Sequence, residues 1–236
     1  MIWLGIETAN APLSVAIVKD GKVVAEVVQN IKLTHSAGAM PAVEAILAKA
    51  GLKPVDIDAI AVSEGPGSYT GVRIGATLAK TLAWTLKKPL VGVSSLKVLA
   101  ANVSLHNGLI CPLFDARRSN VYTAVYKGAT LETVVEDYHD HIDGLLQRLQ
   151  ELAEPVLFVG ADVDVFWEKI VATLGDYAYR APMTTDLPRA CEVIRLASEG
   201  ELPSTEATHH FVPQYKRIAE AEANWLKEQK EKANEQ

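Results

Sequence analysis

IWLGIETANAPLSVAIV, residues 2–18, is two apolar runs, 2–7 and 13–18, separated by the turn-rich Thr8-Ala9-Asn10-Ala11-Pro12, with Glu7 closing the first run. Asp20-Gly21 then punctuates a second hairpin into the β-branched run KVVAEVV at 22–28. The chain thus opens as three antiparallel strands. The device returns at residues 109–126, LICPLFDARRSNVYTAVY, with Asp115 in the place of Glu7 and Ala116-Arg117-Arg118-Ser119 as the turn. Between the two, residues 36–51 read as a helix capped by Ser36, 57–63 as a strand, 70–87 as a helix, 90–93 as a strand and 94–104 as a helix. Such alternation implies parallel strands joined by right-handed crossovers. After the second hairpin come a strand near 130–136, a helix near 141–152 and a strand at 156–160. The reading is an α/β fold of two related halves, 1–104 and a less regular 105–216, followed by a polar, helix-prone tail at 217–236.

The 236 residues are 49% hydrophobic and 22% charged, an ordinary globular mixture. With 23 Lys+Arg against 29 Asp+Glu the formal charge is -6, which disfavours a protein that grips nucleic acid alone, though it leaves room for a local basic patch. Cys111 and Cys191 have no CxxC spacing and read as buried free thiols. The N-terminal stretch lacks the basic start and cleavage site of a signal peptide, and no apolar run approaches the ~20 residues of a membrane helix. A soluble, cytoplasmic protein is expected.

Chemistry concentrates in Gly65-Pro66-Gly67-Ser68-Tyr69-Thr70-Gly71-Val72-Arg73-Ile74-Gly75, between a strand and a helix, where backbone N–H groups can hold an anion. No Walker A lysine follows, and Pro66 spoils a nucleophile elbow around Ser68. On spacing alone, a tight turn with Ser68 or Thr70 capping the helix explains it. In that helix Gly71, Gly75, Ala79 and Ala83 share one side, and Ile74, Leu78, Leu82 and Leu86 form the adjacent stripe. One stripe faces the sheet; the other faces either more of the chain or a partner. The preceding helix begins with a similar mixture, Ala37, Gly38, Ala39, Met40 and Val43. None of the six histidines has the HExxH or H-x-x-x-H spacing of a metal site. Residues that could touch a nucleotide or phosphate are Thr8, Gly65, Gly67, Asp115, Arg117 and Arg118, none fixed by a motif; the two arginines could equally pair with Asp115 on the surface.

The paired hairpins, with Glu7-Thr8 and Asp115 at their turns, resemble the actin/Hsp70/sugar-kinase (ASKHA) superfamily. His35-Ser36, EGPGSYTGVRIG at 64–75, GVSSL at 92–96 and DARRSNVY at 115–122 are similar to the bacterial TsaB (YeaZ) family, with a weaker echo at Pro213–Arg217. The resemblance implies a paralogue of TsaD, which transfers threonylcarbamoyl to N6 of the adenosine beside the anticodon of certain tRNAs to form t6A. Where TsaD carries a metal-binding helical H-L-E-x-H-like segment, this chain has Ser95-Leu96-Lys97-Val98-Leu99, and no metal is expected. Glu7 replaces the usual first Asp, which argues against tight ATP binding. The implied role is a non-catalytic scaffold that pairs with TsaD through a helical bundle, is joined by the ATPase TsaE, forms a homodimer when alone, and meets tRNA only through the complex. No cofactor is required of the chain, while a nucleotide at the complex interface is left open. The expected interface comprises His35, Ala39, Met40, Val43, Thr70, Gly71, Ile74, Gly75, Leu78, Ala79 and Leu82. The alternative is an independent enzyme, either a sugar-kinase-like phosphotransferase with Asp115 as base or a metallopeptidase.

Overall fold

The structure, a computed structural model, describes residues 1–31 and 34–216; the tail expected at 217–236 lies outside them. Ten strands form two five-stranded sheets. The first is built from β1 (Ile2–Glu7), β2 (Leu13–Lys19), β3 (Lys22–Gln29), β4 (Ala59–Gly65) and β5 (Leu90–Ser94), in the order β3-β2-β1-β4-β5. The second contains β6 (Leu109–Arg117), β7 (Asn120–Lys127), β8 (Thr133–His141), β9 (Val156–Val159) and β10 (Ala178–Arg180), in the order β10-β9-β6-β7-β8. In each half the first three strands are antiparallel and the last two run parallel to the first. Both halves therefore repeat one pattern, the duplicated α/β layout of the ASKHA class.

Six helices complete five layers. Helices α1 (His35–Lys49) and α2 (Tyr69–Leu86) cover the outer face of the first sheet; α4 (Ile142–Leu152) and α5 (Trp167–Leu174) cover that of the second. Between the sheets lie α3 (Ser95–Ala101) and α6 (Ala190–Ala197), in one core with Trp3, Ala16, Ala59, Ile110, Phe114 and Ala124. The strands alternate accordingly: Leu4, Ile6, Val15, Ile17, Ile60 and Val62 face outward to α1 and α2, while their neighbours face inward. The free thiols Cys111 and Cys191 are both buried.

Several boundaries differ from the sequence reading. Helix α1 starts at His35 after Thr34, not after a Ser36 cap, and carries the exposed Pro41 within it. Strand β4 starts at Ala59, and α3 ends at Ala101 in a turn. The larger difference concerns the halves. From Ala190 the chain returns to the first sheet: α6 packs on β1, β2 and β4, and Glu26 of β3 accepts hydrogen bonds from the Cys191 N–H at 3.0 Å and from Arg189. Residues 205–216 lie against the N-terminal half, where Lys80 Nζ donates to the carbonyls of His209 and Phe211 at 2.8 and 3.0 Å. The strands of the first sheet all precede residue 105 and those of the second all follow it, while α6 and residues 205–216 pack against the first sheet and its helices.

Where α6 closes on the inner face of the first sheet, that face carries small residues, Gly5, Ala16, Ala59 and Ala61. A Cβ on Gly5 would stand 2.5 Å from the Ala190 carbonyl oxygen and 2.8 Å from Ile194. Backbone cannot yield as a flexible side chain can. Gly5→Ala is therefore expected to cost about 1–3 kcal/mol in urea unfolding, whereas Gly200→Ala, with nothing within 4 Å of its Cβ, should stay within about 0.5 kcal/mol of the parent.

Candidate functional site: a cleft between the halves and an open helical face

The C-terminal ends of β1, β4 and β6 meet at a cleft of about 630 Å³ between the halves, lined among others by Asn10, Gly67, Ser68, Tyr69, Asp115, Arg117, Tyr122, Tyr215 and Lys216. Strand ends at a crossover are where open α/β sheets place ligands. Of the residues singled out from sequence, Gly67, Asp115 and Arg117 line this cleft. Glu7 and Thr8 do not.

Glu7 is 1% exposed and points into the protein. Its Oε1 accepts the Ala9 N–H at 2.7 Å, and its Oε2 accepts the Ser63 hydroxyl. Burial pushes its carboxyl up from 4.5 to about 7, more than those hydrogen bonds lower it. Thr8 is also buried and donates its hydroxyl to the Gly71 carbonyl at 2.9 Å. Ser68, not Thr70, caps α2, accepting the Gly71 N–H at 3.4 Å. The Ser68 N–H in turn donates to the Ala9 carbonyl at 2.7 Å, and His35 Nε2 lies 2.7 Å from the Asn10 carbonyl. The Ala9 N–H, the Thr8 hydroxyl and the Ala9 and Asn10 carbonyls of the first turn thus have partners within the chain. A triphosphate would draw on backbone donors here, and that of Ala9 is already bonded to Glu7.

The second turn has a different shape. Arg117, Arg118 and Ser119 all adopt left-handed backbone, with φ of 71°, 56° and 59°. Asn120 Nδ2 steadies the run by donating to the carbonyls of Arg117 and Arg118 at 3.0 and 3.1 Å. Asp115 Oδ1 accepts the Arg117 N–H at 2.8 Å, and the Asp115 N–H donates to Asp162 Oδ2 at 2.9 Å. Arg117 and Arg118 are both exposed, and Arg117 lines the cleft. Gly65 is buried beneath residues 211–216: Gln214 bonds both the backbone and the side chain of Glu64, at 2.7 and 2.9 Å.

The metal-motif positions also fail to fit an ion. Ser95 is buried with its Oγ accepting the Gly65 N–H at 3.1 Å, and Leu99 is buried beside Gly160. Among the described residues no three His, Cys, Asp or Glu side chains gather to hold a metal. Sequence reasoning missed Asn10, Tyr122 and Lys216 as cleft residues. It also missed Asp162, which accepts the Asp115 N–H.

On the outside of the N-terminal half, the expected interface divides. Gly71, Gly75, Ala79, Ala39 and Val43 are buried in the chain's own packing. A Cβ on Gly71 or Gly75 would strike Thr8. These five are therefore corrected: they hold α1 and α2 on the sheet and offer no side chain to a partner. Ile74, Leu78 and Leu82 are half-buried, His35 likewise, and Met40 and Thr70 are exposed. Ser36, Thr70, Arg73, Ile74, Thr77, Leu78 and Thr81 line an open groove along this side.

A family model described as TsaD, tRNA N6-adenosine threonylcarbamoyltransferase, matches residues 22–225. The chain is 44% identical over 232 residues to the tRNA threonylcarbamoyladenosine biosynthesis protein TsaB of Bacillus subtilis, covering 98% of this chain and 100% of that one. A Pseudomonas aeruginosa crystal structure, described as an uncharacterized protein with similarity to peptidase YeaZ, superposes with a TM-score of 0.75 at 25% identity, covering 92% of this chain and 99% of that one. The fold extends to the activator of the 2-hydroxyisocaproyl-CoA dehydratase of Clostridium difficile, with a TM-score of 0.50 at 12% identity over 89% of this chain and 96% of that one.

The buried Glu7 makes stability fall with pH. Its carboxyl stays protonated in the fold up to about 7, while the unfolded chain ionises from 4.5; unfolding is thus favoured progressively through that window, by about 3 kcal/mol in total. Glu7→Gln keeps an acceptor for the Ala9 N–H and replaces the Oε2 acceptor by an amide N–H that Ser63 Oγ can accept, without an ionisable proton. Denaturant unfolding across this range should show a decline in the parent that the variant lacks.

Proposed function

We propose, because the chain belongs to the TsaB family of tRNA threonylcarbamoyladenosine biosynthesis proteins, that it is a non-catalytic subunit that supports a TsaD-type transferase. The observation that carries this reading is the open side of α2, where Ile74 and Leu78 stay part-exposed in a groove, with Leu82 part-exposed one turn on, while the glycine side is closed on the chain itself. Half-buried alkyl groups flanked by Thr70, Thr77 and Thr81 suit a second helical surface, because they offer apolar area, with Arg73 as the charged group at the groove. The first-turn acid is held inside the protein and the metal-motif positions are filled by a bonded hydroxyl and an alkyl group. Both support a partner role over an independent phosphotransferase or metallopeptidase.

In this reading TsaD docks on α1 and α2, a TsaE-type ATPase joins the pair, and the same face makes a homodimer when the chain is alone. The chain itself requires no cofactor, works in the cytoplasm, and meets tRNA as part of the assembly. Among the described residues no helix is long and apolar enough to cross a membrane.

Leu78→Glu places a charge in the groove and should weaken co-elution with TsaD about tenfold or more, with loss of t6A formation in a reconstituted reaction. Its unfolding midpoint should remain near that of the parent. Gly75→Leu should instead lower the midpoint, because its side chain meets Thr8. Undiminished TsaD binding and t6A formation with Leu78→Glu would refute the docking face; full activity with Asp115→Asn would exclude that carboxylate as a catalytic base.

A further inference from the structure

The rim of the cleft collects rings and cations in a chain whose net charge is -6. Tyr69 and Tyr215 lie with ring centroids 5.3 Å apart, tilted by 40°, and remain 62% and 48% exposed. The Arg73 guanidinium sits 5.0 Å from the centre of the Tyr69 ring and donates to its hydroxyl at 3.0 Å. On the opposite wall Tyr122 lines the cleft and Arg117 is exposed on the left-handed turn, while Lys216 enters from the segment that crosses Glu64. The acid in the lining is Asp115, half-buried, with one oxygen accepting the Arg117 N–H.

We propose that this rim is a contact site for single-stranded RNA: an unstacked base lies on the exposed tyrosine rings, and its phosphates lie toward Arg117 and Lys216. Aromatic platforms interleaved with cations are the usual means of holding single strands, and bases locked in a duplex cannot reach such rings. At the first turn the Ala9 N–H, a donor that a free triphosphate could use, is already bonded to Glu7. The inference rests on the tRNA-modification reading above and deepens it, giving this subunit an RNA contact of its own within the assembly.

Fluorescence anisotropy of a labelled single-stranded oligoribonucleotide with an anticodon-loop sequence, titrated with the full chain, tests it. Tyr215→Ala should weaken binding about tenfold. Arg117→Ala should weaken it and flatten the slope of log affinity against log salt by about 0.7. Both side chains are exposed, so unfolding midpoints should not move. Lys22→Ala, an exposed cation on β3, should bind as the parent does, and neither the same sequence in a duplex nor AMP should compete. Absence of binding, parental affinity in both rim variants, an equal loss with Lys22→Ala, or equal competition by duplex or AMP would each overturn the proposal. If t6A formation still required the chain in that event, the scaffold reading would stand without it.

Discussion

The turn after β1 presses directly onto the start of α2, and much else depends on that contact. Thr8 and Ala9 approach so closely that Gly67, Gly71 and Gly75 have no room for a side chain. Glycine inside a helix costs up to about 1 kcal/mol relative to alanine, and here the cost is offset by a buried Thr8 hydroxyl bonded to Gly71 and by the Ser68–Ala9 backbone bond. Because the glycine side of α2 is fixed on the turn, its alkyl stripe is fixed outward. The same contact engages the Thr8 hydroxyl and the Ala9 carbonyl of the first turn. A part-exposed alkyl stripe and an internally bonded turn are thus two results of one packing contact.

The two hairpin turns show how a single methylene and a few neighbours divide related halves. Glu7 is long enough to fold back onto the Ala9 N–H, and Ser63 completes its bonding inside the core. Asp115, shorter, holds the Arg117 N–H at the edge of the cleft and stays half-buried, with the arginine turn projecting beside it. One acid became part of the frame; the other remained at a surface where charge and rings are accessible.

The duplication was legible because strand, acidic turn and strand occur twice with matching punctuation, and the two sheets follow that reading except at β10, Ala178–Arg180, a three-residue strand it did not place. The side of α2 was not. A four-residue recurrence shows that Gly71, Gly75 and Ala79 share a side, but not whether that side meets the chain's own sheet; Thr8, 63 residues earlier than Gly71, decides it. The cleft walls were partly hidden for a similar reason. Tyr215 and Lys216 reach the Gly-rich loop only because residues 205–216 cross back over the first half, a path set by long-range packing of Phe211 and Trp84 and not by any local pattern.

The placement of α6 also bears on the order in which the chain can mature during synthesis. Strands β1 to β5 can pair once the first hundred residues have emerged, and α3 can then reach β4 and β5, yet the inner face over β1 and β2, with Gly5 and Ala16, is closed by a helix encoded at 190–197. The first half therefore leaves the ribosome as a sheet with part of one side unshielded, and stays so while β6 to β10 are made. Vectorial folding of domain after domain does not describe such a chain. Its N-terminal half is completed last.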